Sequence, residues 1–495
     1  MGIVVRQSVK GTIVTFIGAL LGALITYIYT VIFSMSELGY VTNFVHQAAL
    51  IQVFTLVGTS SLVGYYTPRY IDDDARQKVL LSFSALCTLG ATLIFTLVYF
   101  LLKDVIIGKY QHTDQAYINK YYWCMPLLVL SWSFMTMFEA YLVSKHRSAI
   151  VAFMREVVAR LLTLIFIILF YFNLISFDVF VYAIILCYLI PALALLLVAM
   201  KIKGFGYSLN FKIFNRSDYK EFIHFAWYHL LLVASVNFMG YIDIIMLGPL
   251  DKTGLSSLAV YSRAVFVISV MMIPYKAISS ASFATLSHTF LDGDNNKLRN
   301  VFNRIGDNMM VAAMGMFCLI ACNLDNAVRI FPTGYEAIKP LVLILMFGRM
   351  MDMATGMNNE VISISKYYKF NFRLTVLLVV CTIALMRYMI PIYGIYGAAW
   401  GATISLAAFN IVKALYLWKK LDLKPFTGAT LRIIGAGAIA ALAGLLIPYM
   451  GHWLTDTALR SIVIIAIYLG LLLGFSASPD LKDYLTAMKK NKKLY

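Results

Sequence analysis

Charge is what this sequence is short of. Only 13% of its 495 residues are Asp, Glu, Lys or Arg, while 61% are hydrophobic. Soluble globular proteins carry roughly 25% charged residues, so a soluble enzyme or binding module is excluded and an integral membrane protein is expected. Cysteine patterning is absent too. The six cysteines, mostly inside apolar runs, show no CxxC and no zinc spacing. Cys318 and Cys322 lie one helical turn apart, and two thiols in an apolar helix read as packing, because a closed zinc site wants four ligands. No cofactor or metal pattern is present. The net charge of +17 forms no basic stripe. It is spread as short clusters between apolar runs, which marks cytoplasmic loops and not a nucleic-acid partner. No cleavable leader is expected either: MGIVVRQSVKG runs straight into an apolar stretch, Thr12 to Phe33, that is long enough to span and lacks a small-residue cleavage site.

What is present is a series of apolar runs. A spanning helix needs about 20 mostly apolar residues. Such runs fall near 12–34, 42–65, 79–102, 121–143, 156–173, 178–200, 222–248, 258–281, 302–324, 340–364, 372–390, 395–417, 431–450 and 461–476. That gives about fourteen spans with both termini on one side. With the N-terminus in the cytoplasm, twenty-nine lysines and arginines fall in cytoplasmic segments, eight on the opposite side and four inside spans. The bias recurs at every alternate loop and sets the orientation. The connections are short, so the protein acts inside the bilayer.

The fourteen spans contain an internal repeat. FEAYLVSKHR places Glu139, Ser144 and Lys145 at the cytoplasmic end of the fourth span; NNEVISISKYYK places Glu360, Ser365 and Lys366 at the same spacing in the tenth, 221 positions later. YIDDDARQK after the second span resembles FLDGDNNKL after the eighth at an offset of 220. Spans 1–6 and 7–12 therefore read as two copies of a six-helix unit, parallel because six is even. The expected division is 1–208 for the first lobe, 209–425 for the second, and 426–495 for a final helix pair with a cytoplasmic tail. Two lobes around a central pathway suit alternating access. Glu139 and Glu360 are either interfacial acids paired with a neighbouring loop or a matched pair of cytoplasmic gate residues.

The copies differ in buried charge. Arg263, Lys276, Arg349 and Asp352 of the second lobe align with Asn43, Leu56, Leu128 and Ser131 of the first. A mid-membrane arginine or lysine costs about 2.5–3.5 kcal/mol, so it faces a partner or an aqueous cavity. On a straight tenth span, Arg349, Asp352, Gly356 and Glu360 share an arc of about 80° along about 16 Å. They form either a polar stripe facing the lumen or an internal Arg349–Asp352 pair. Arg263 and Lys276 lie about 140° apart on the eighth span, with Pro274 between them able to kink it. Lys276 either faces the lumen or snorkels. Lys413 reads as a snorkelling lysine near the cytoplasmic interface. Asp243, the lone acid of the seventh span, has Arg263 as its expected partner. His46, His224 and His229 are proton-relay candidates or simply satisfied polar groups.

YIDIIMLGPLDKTGLSSLAVYSRA (Tyr241 to Ala264) resembles the opening of the second lobe in the multidrug/oligosaccharidyl-lipid/polysaccharide exporter superfamily, and within it the polysaccharide-biosynthesis flippases of the Wzx type. Asn359 to Lys366 is similar to that group's ending of the tenth span, and FSMSELGYVTNF (Phe33 to Phe44) to its glycine-bearing outer turn. The resemblance implies an all-α bacterial inner-membrane transporter that is not an enzyme. It would move an undecaprenyl-diphosphate-linked oligosaccharide, an O-antigen or capsule repeat unit, between leaflets, with membrane lipids and a polysaccharide polymerase complex as partners. An anionic diphosphate crossing a low-dielectric core needs cations, so Arg263, Arg349 and Lys276 are the expected substrate contacts. Asp243, Asp352, Glu139 and Glu360 are the expected gating or ion-coupling acids, for a proton or sodium. Two alternatives stand beside this: a multidrug or cation antiporter of the same superfamily, whose lumen should be acidic and aromatic, and a membrane enzyme acting on lipid-linked sugars. Against the enzyme, the outer loop KDVIIGKYQHTDQAYINK lacks paired carboxylates.

Overall fold

A computed structural model describes residues 2–475, except the side chains of 2–13, 15, 16, 235, 236 and 368. The basic tail expected to be cytoplasmic lies outside the described residues. The described chain is helical with no strand, and contacts divide it into two compact units, Met1–Ala259 and Val260–Tyr495.

The first unit holds α1 (Gly2–Ile32), α2 (Met35–Leu56), α3 (Thr59–Tyr66), α4 (Asp74–Leu101), α5 (Lys103–Ile107), α6 (His112–Lys120), α7 (Cys124–Ser144), α8 (Ser148–Phe153), α9 (Ala159–Tyr171), α10 (Phe177–Met200) and α11 (Arg216–Leu250). A π-helical turn, Met154–Val158, joins α8 to α9. Its wider turn re-aims Arg155 and Glu156, and such bulges concentrate at functional sites. Gly18 and Gly22 let α1 approach closely, since a Cβ on either would strike Glu156 or Arg160; Arg160 donates to the Gly18 carbonyl and pairs with Glu156 at 2.7 Å. Small residues four apart are the usual means of such contact in membranes. The helix α11 belongs to this unit because its aromatic N-terminal half packs on α3: Tyr66 stacks edge-on against Phe222 at 4.8 Å and donates to Glu221 at 2.6 Å.

The α2/α3 pair is bent by 57°. The break is set by Val57 and Gly58, both left-handed (φ +49° and +74°). A β-branched residue there is strained, and a Cβ on Gly58 would sit 2.1 Å from the Ala226 carbonyl oxygen. Only glycine fits.

The helix α12 (Leu255–Leu291) begins at the end of the first unit and continues into the second. There follow α13 (Asn295–Val328), α14 (Ile338–Ala354), α15 (Asn358–Ile364), α16 (Tyr368–Tyr393), α17 (Ile395–Leu421), α18 (Gly428–Leu445) and α19 (Trp453–Gly474). Cys318 and Cys322 pack as expected of thiols in a helix interface, donating to the Gly437 and Ala441 carbonyls of α18 at 3.2 and 3.5 Å. Buried Arg460 closes the end of α18, donating to the Gly444 and Ile447 carbonyls while paired with buried Asp456. The Gly444 carbonyl is among the four a helix leaves unsatisfied at its C-terminus, and Ile447 lies just beyond it.

Among the described residues, nine helices are long and apolar enough to cross a membrane, or up to twelve when each of three bent pairs counts as one span. The remaining two of the fourteen expected spans, 12–34 and 156–173, are helical as α1 and as the run from the π turn through α9. The lobe boundaries at 208 and 425 follow from the repeat and are a proposal; contact alone groups α11 with the first unit.

Gly58 at the break and Gly64 within α3 give a test. Gly58→Ala should lower the thermal midpoint in detergent, by a destabilisation of about 1–3 kcal/mol for strain at a special backbone site. Gly64→Ala, in the interior of α3 with open space around its Cα, should leave the midpoint unchanged or raise it.

Candidate functional site

The second unit concentrates polar groups where α14 meets α15. These helices form one span bent by 44°, broken at Thr355–Met357 with Gly356 at φ +69°. The straight stripe expected from Arg349 to Glu360 is therefore corrected. Arg349 and Asp352 stand on α14, Gly356 is the hinge, and Glu360 opens α15 on a new axis. Unwound backbone at membrane depth is tolerated only where protein or water satisfies it.

Around this break the side chains converge. Lys413 of α17 is buried, 3% exposed, with Nζ donating to the Asn359 side-chain oxygen at 2.9 Å and lying 3.7 Å from the Phe409 ring centre. The carboxylates of Asp352 and Glu360 both lie within electrostatic reach of it. The snorkelling role expected for Lys413 is thus overturned: its stem does not carry the ammonium outward, because an amide, a ring face and two acids hold it inside. A lysine near a span's end is ambiguous in sequence, since the same spacing serves both arrangements. Asn371 of α16 donates to the same Asn359 oxygen at 3.0 Å, Ser279 of α12 donates to Glu360 Oε1 at 3.0 Å, and Asn410 hydrogen-bonds to Asp352. Two groups stay open. Glu360 Oε2 is buried without a hydrogen bond, as are both amide atoms of buried Asn358. Arg349 leans toward Asp352 at 3.9 Å, beyond hydrogen-bond length, with its side chain 38% exposed. Neither sequence reading holds alone: the pair exists, but loosely, and the guanidinium keeps donors for another partner.

Arg263 is buried on α12, with Tyr335 within reach of its charge. Lys276, on the same helix, is exposed. Asp243 lies in the first unit, partly buried, and accepts the Ile244 amide at 2.9 Å; its expected pairing with Arg263 is a proposal. The structure thus brings together Arg349, Asp352 and Glu360 with Lys413, Asn359 and Asn410.

Glu139 occupies its own cluster in the first unit. It is 8% exposed, with Arg155 at 3.7 Å from Oε2 and Oε1 buried without a hydrogen bond. The sequence-related acids Glu139 and Glu360 thus share a property: each has one carboxylate oxygen that is buried without a hydrogen bond. Glu139 lines a cavity of about 270 Å³ with Gln52, Trp132, Thr136, Arg155 and Tyr241. Of these, sequence reading singled out only Glu139; Trp132 and Gln52 are too common as residue types, and their convergence needs the α2/α3 break. His46 acts as a satisfied group, sharing a hydrogen bond with the Thr42 carbonyl at 2.7 Å, while His229 packs on Phe225 and also lines the cavity.

Residues 6–290 match the family described as "Polysaccharide biosynthesis protein". The chain belongs to that family. No curated protein matches it. Solved structures match in fold. One described as "Lipid II flippase MurJ, inward closed conformation" has a TM-score of 0.76 at 14% identity, covering 94% of this chain and 98% of that one. An inward-facing multidrug resistance MATE family transporter of the MOP superfamily has a TM-score of 0.66 at 15% identity, covering 84% and 98%. A MOP superfamily transporter from Pyrococcus furiosus, described as having reverse polarity of its binding pocket, has a TM-score of 0.53 at 14% identity, covering 86% and 96%. This chain is accordingly an all-helical, multi-pass membrane protein with the fold seen in those transporters.

The buried lysine generates a coupling prediction. Lys413→Met leaves Asp352 and Glu360 without the buried cation in electrostatic reach of both and should cost about 1–3 kcal/mol in stability, the range for leaving a polar group uncompensated. Adding Asp352→Asn should recover part of that loss, because both charges are then gone. Thermal unfolding of the single and double variants reads the difference; strictly additive losses would contradict the pairing.

Proposed function

We propose that this protein is a flippase, carrying an undecaprenyl-diphosphate-linked oligosaccharide of the O-antigen or capsule type from the cytoplasmic to the periplasmic leaflet of a bacterial inner membrane, with both termini cytoplasmic. Membership of the polysaccharide biosynthesis family supports the substrate class, and the fold shared with a protein described as a lipid II flippase supports transport of a lipid-linked headgroup. The observation that carries the reading is Arg349. Its guanidinium has one loose ionic partner and ample exposure, at a helix break where three further elements contribute polar groups. Arginine's planar fork matches a diphosphate. Arg263 and Lys276 are the further cations of the pathway.

The acids have a second task. Asp352 and Glu360 share the charge of Lys413, and a proton or sodium ion arriving at either would loosen that hold. A ligand with different affinity for two conformations shifts their balance, which is the requirement for coupled alternating access. Glu139 and Asp243 are the equivalent gating acids of the first lobe, residues 1–208, and of the seventh span at the start of the second lobe, residues 209–425.

The superfamily's multidrug antiporters remain the second reading, favoured by the fold shared with MATE transporters and by the buried acids. Cells lacking the protein discriminate. The flippase reading expects precursor to accumulate on the cytoplasmic side, with wild type restoring surface glycan and Arg349→Ala restoring less than a tenth of it at equal membrane levels. Arg349→Lys, which keeps the charge and loses the fork, should restore an intermediate amount. Unchanged surface glycan with reduced efflux of cationic dyes would shift the assignment to the antiporter.

A further inference from the structure

The cavity of the first unit is not accounted for by the diphosphate pathway. It lies within α2, α3, α7, α11 and the π turn, and its walls combine three features. The first is an aromatic platform: Trp132 lines the space and is stacked on Tyr188 at 4.3 Å with an angle of 27° between the planes. The second is a hydrogen-bonding wall held in place by its own network. Gln52 donates to Thr136 Oγ1 at 2.9 Å, and Thr136 donates to the Trp132 carbonyl at 3.0 Å. The third is Glu139, nine-tenths buried, with Oε1 lacking a donor. The α2/α3 break opens beside these groups, as Leu56 and Gly58 also line the cavity. Broken helices at membrane depth belong beside water-filled cavities.

The charge balance selects the ligand. Among the described lining residues, Arg155 already faces Glu139 at 3.7 Å and Glu156 at 3.2 Å, and His229 is the other basic side chain of the wall, so a phosphate would meet a guanidinium whose charge two acids already offset. The same guanidinium beside Glu139 disfavours an organic cation. A metal ion would find one carboxylate, far from a full ligand set. What suits the walls is a neutral ring with an apolar face and several hydroxyls. A carboxylate oxygen without a donor accepts a hydroxyl, the amide and phenol supply further bonds, and the indole covers the C–H face. The volume, about 270 Å³, falls just under the ~300–1,000 Å³ of drug-sized sites, the scale of one or two sugar rings.

The geometry points to this cavity as a glycan subsite, in which Trp132, backed by Tyr188, stacks a neutral pyranose ring of the lipid-linked substrate while Glu139, Gln52 and Tyr241 bond its hydroxyls. It rests on the flippase reading and deepens it, separating recognition of the sugar in the first unit from recognition of the diphosphate in the second.

Binding of two lipids to the purified full-length protein in nanodiscs tests it: the glycan-bearing precursor from deletion cells, and the same polyprenyl diphosphate without sugar. Wild type should bind the glycan-bearing lipid at least tenfold more tightly. Trp132→Ala should erase that margin while leaving affinity for the bare lipid unchanged, and Trp132→Phe, which keeps a ring on Tyr188, should retain most of it. Equal weakening for both lipids by Trp132→Ala, or no effect on either, overturns the subsite. Wild type that binds both lipids alike also overturns it and spares the flippase reading. Wild type that binds neither lipid removes both.

Discussion

A polar group placed at membrane depth must find its partner in the protein or in water, because hydrocarbon offers none. The rest of this structure follows from that constraint. It makes the described membrane-spanning segments helical, since a helix satisfies its own backbone, and it makes each departure from helix within them informative. The two breaks set by positive-φ glycines, at Gly58 and Gly356, sit beside the two clusters of buried polar side chains. Two other arginines are closed within the protein: Arg460 with Asp456 and carbonyls at the end of α18, and Arg160 with Glu156 and α1.

The two clusters differ in charge, and the difference suggests a division of labour. In the second unit, Lys413 is enclosed by Asn359, Asp352 and Glu360, and Arg349 stands nearby with its donors largely uncommitted. In the first, the single cation Arg155 is balanced by Glu139 and Glu156, beside a stacked indole. One environment fits an anionic headgroup, the other a neutral polyhydroxyl ring. A lipid-linked glycan has both parts joined, and its carrier needs to hold both while the pathway is open to one side only.

Much of this was legible in the sequence. Low charge and long apolar runs gave the membrane class, and the Glu139/Glu360 repeat pointed to the two acids that each retain an open carboxylate oxygen. Arg349 and Asp352 were found because charge in a span is expensive and therefore conspicuous. Trp132 and Gln52 were not found, since neutral residues in an apolar chain carry no such signal, and Asn359 stood out only as the start of a stretch resembling the family, with no role attached. Lys413 was misjudged because snorkelling and burial use the same residue near a span's end, and only the packing of Phe409 and Asn359 separates them. The bends also escaped notice. Hydropathy reads 42–65 and 340–364 as continuous, and a glycine within such a run does not announce the φ it adopts.

The account's central claim is movement of a lipid-linked glycan across the bilayer by this protein alone. Its most direct measurement uses vesicles reconstituted with the purified protein and a fluorescent polyprenyl-diphosphate oligosaccharide, with a membrane-impermeant quencher added outside. Protein-free vesicles should keep about half of the label protected in the inner leaflet, and the account predicts that wild-type protein exposes nearly all of it. Equal protection in vesicles with and without protein, under imposed proton and sodium gradients of either direction, would contradict it.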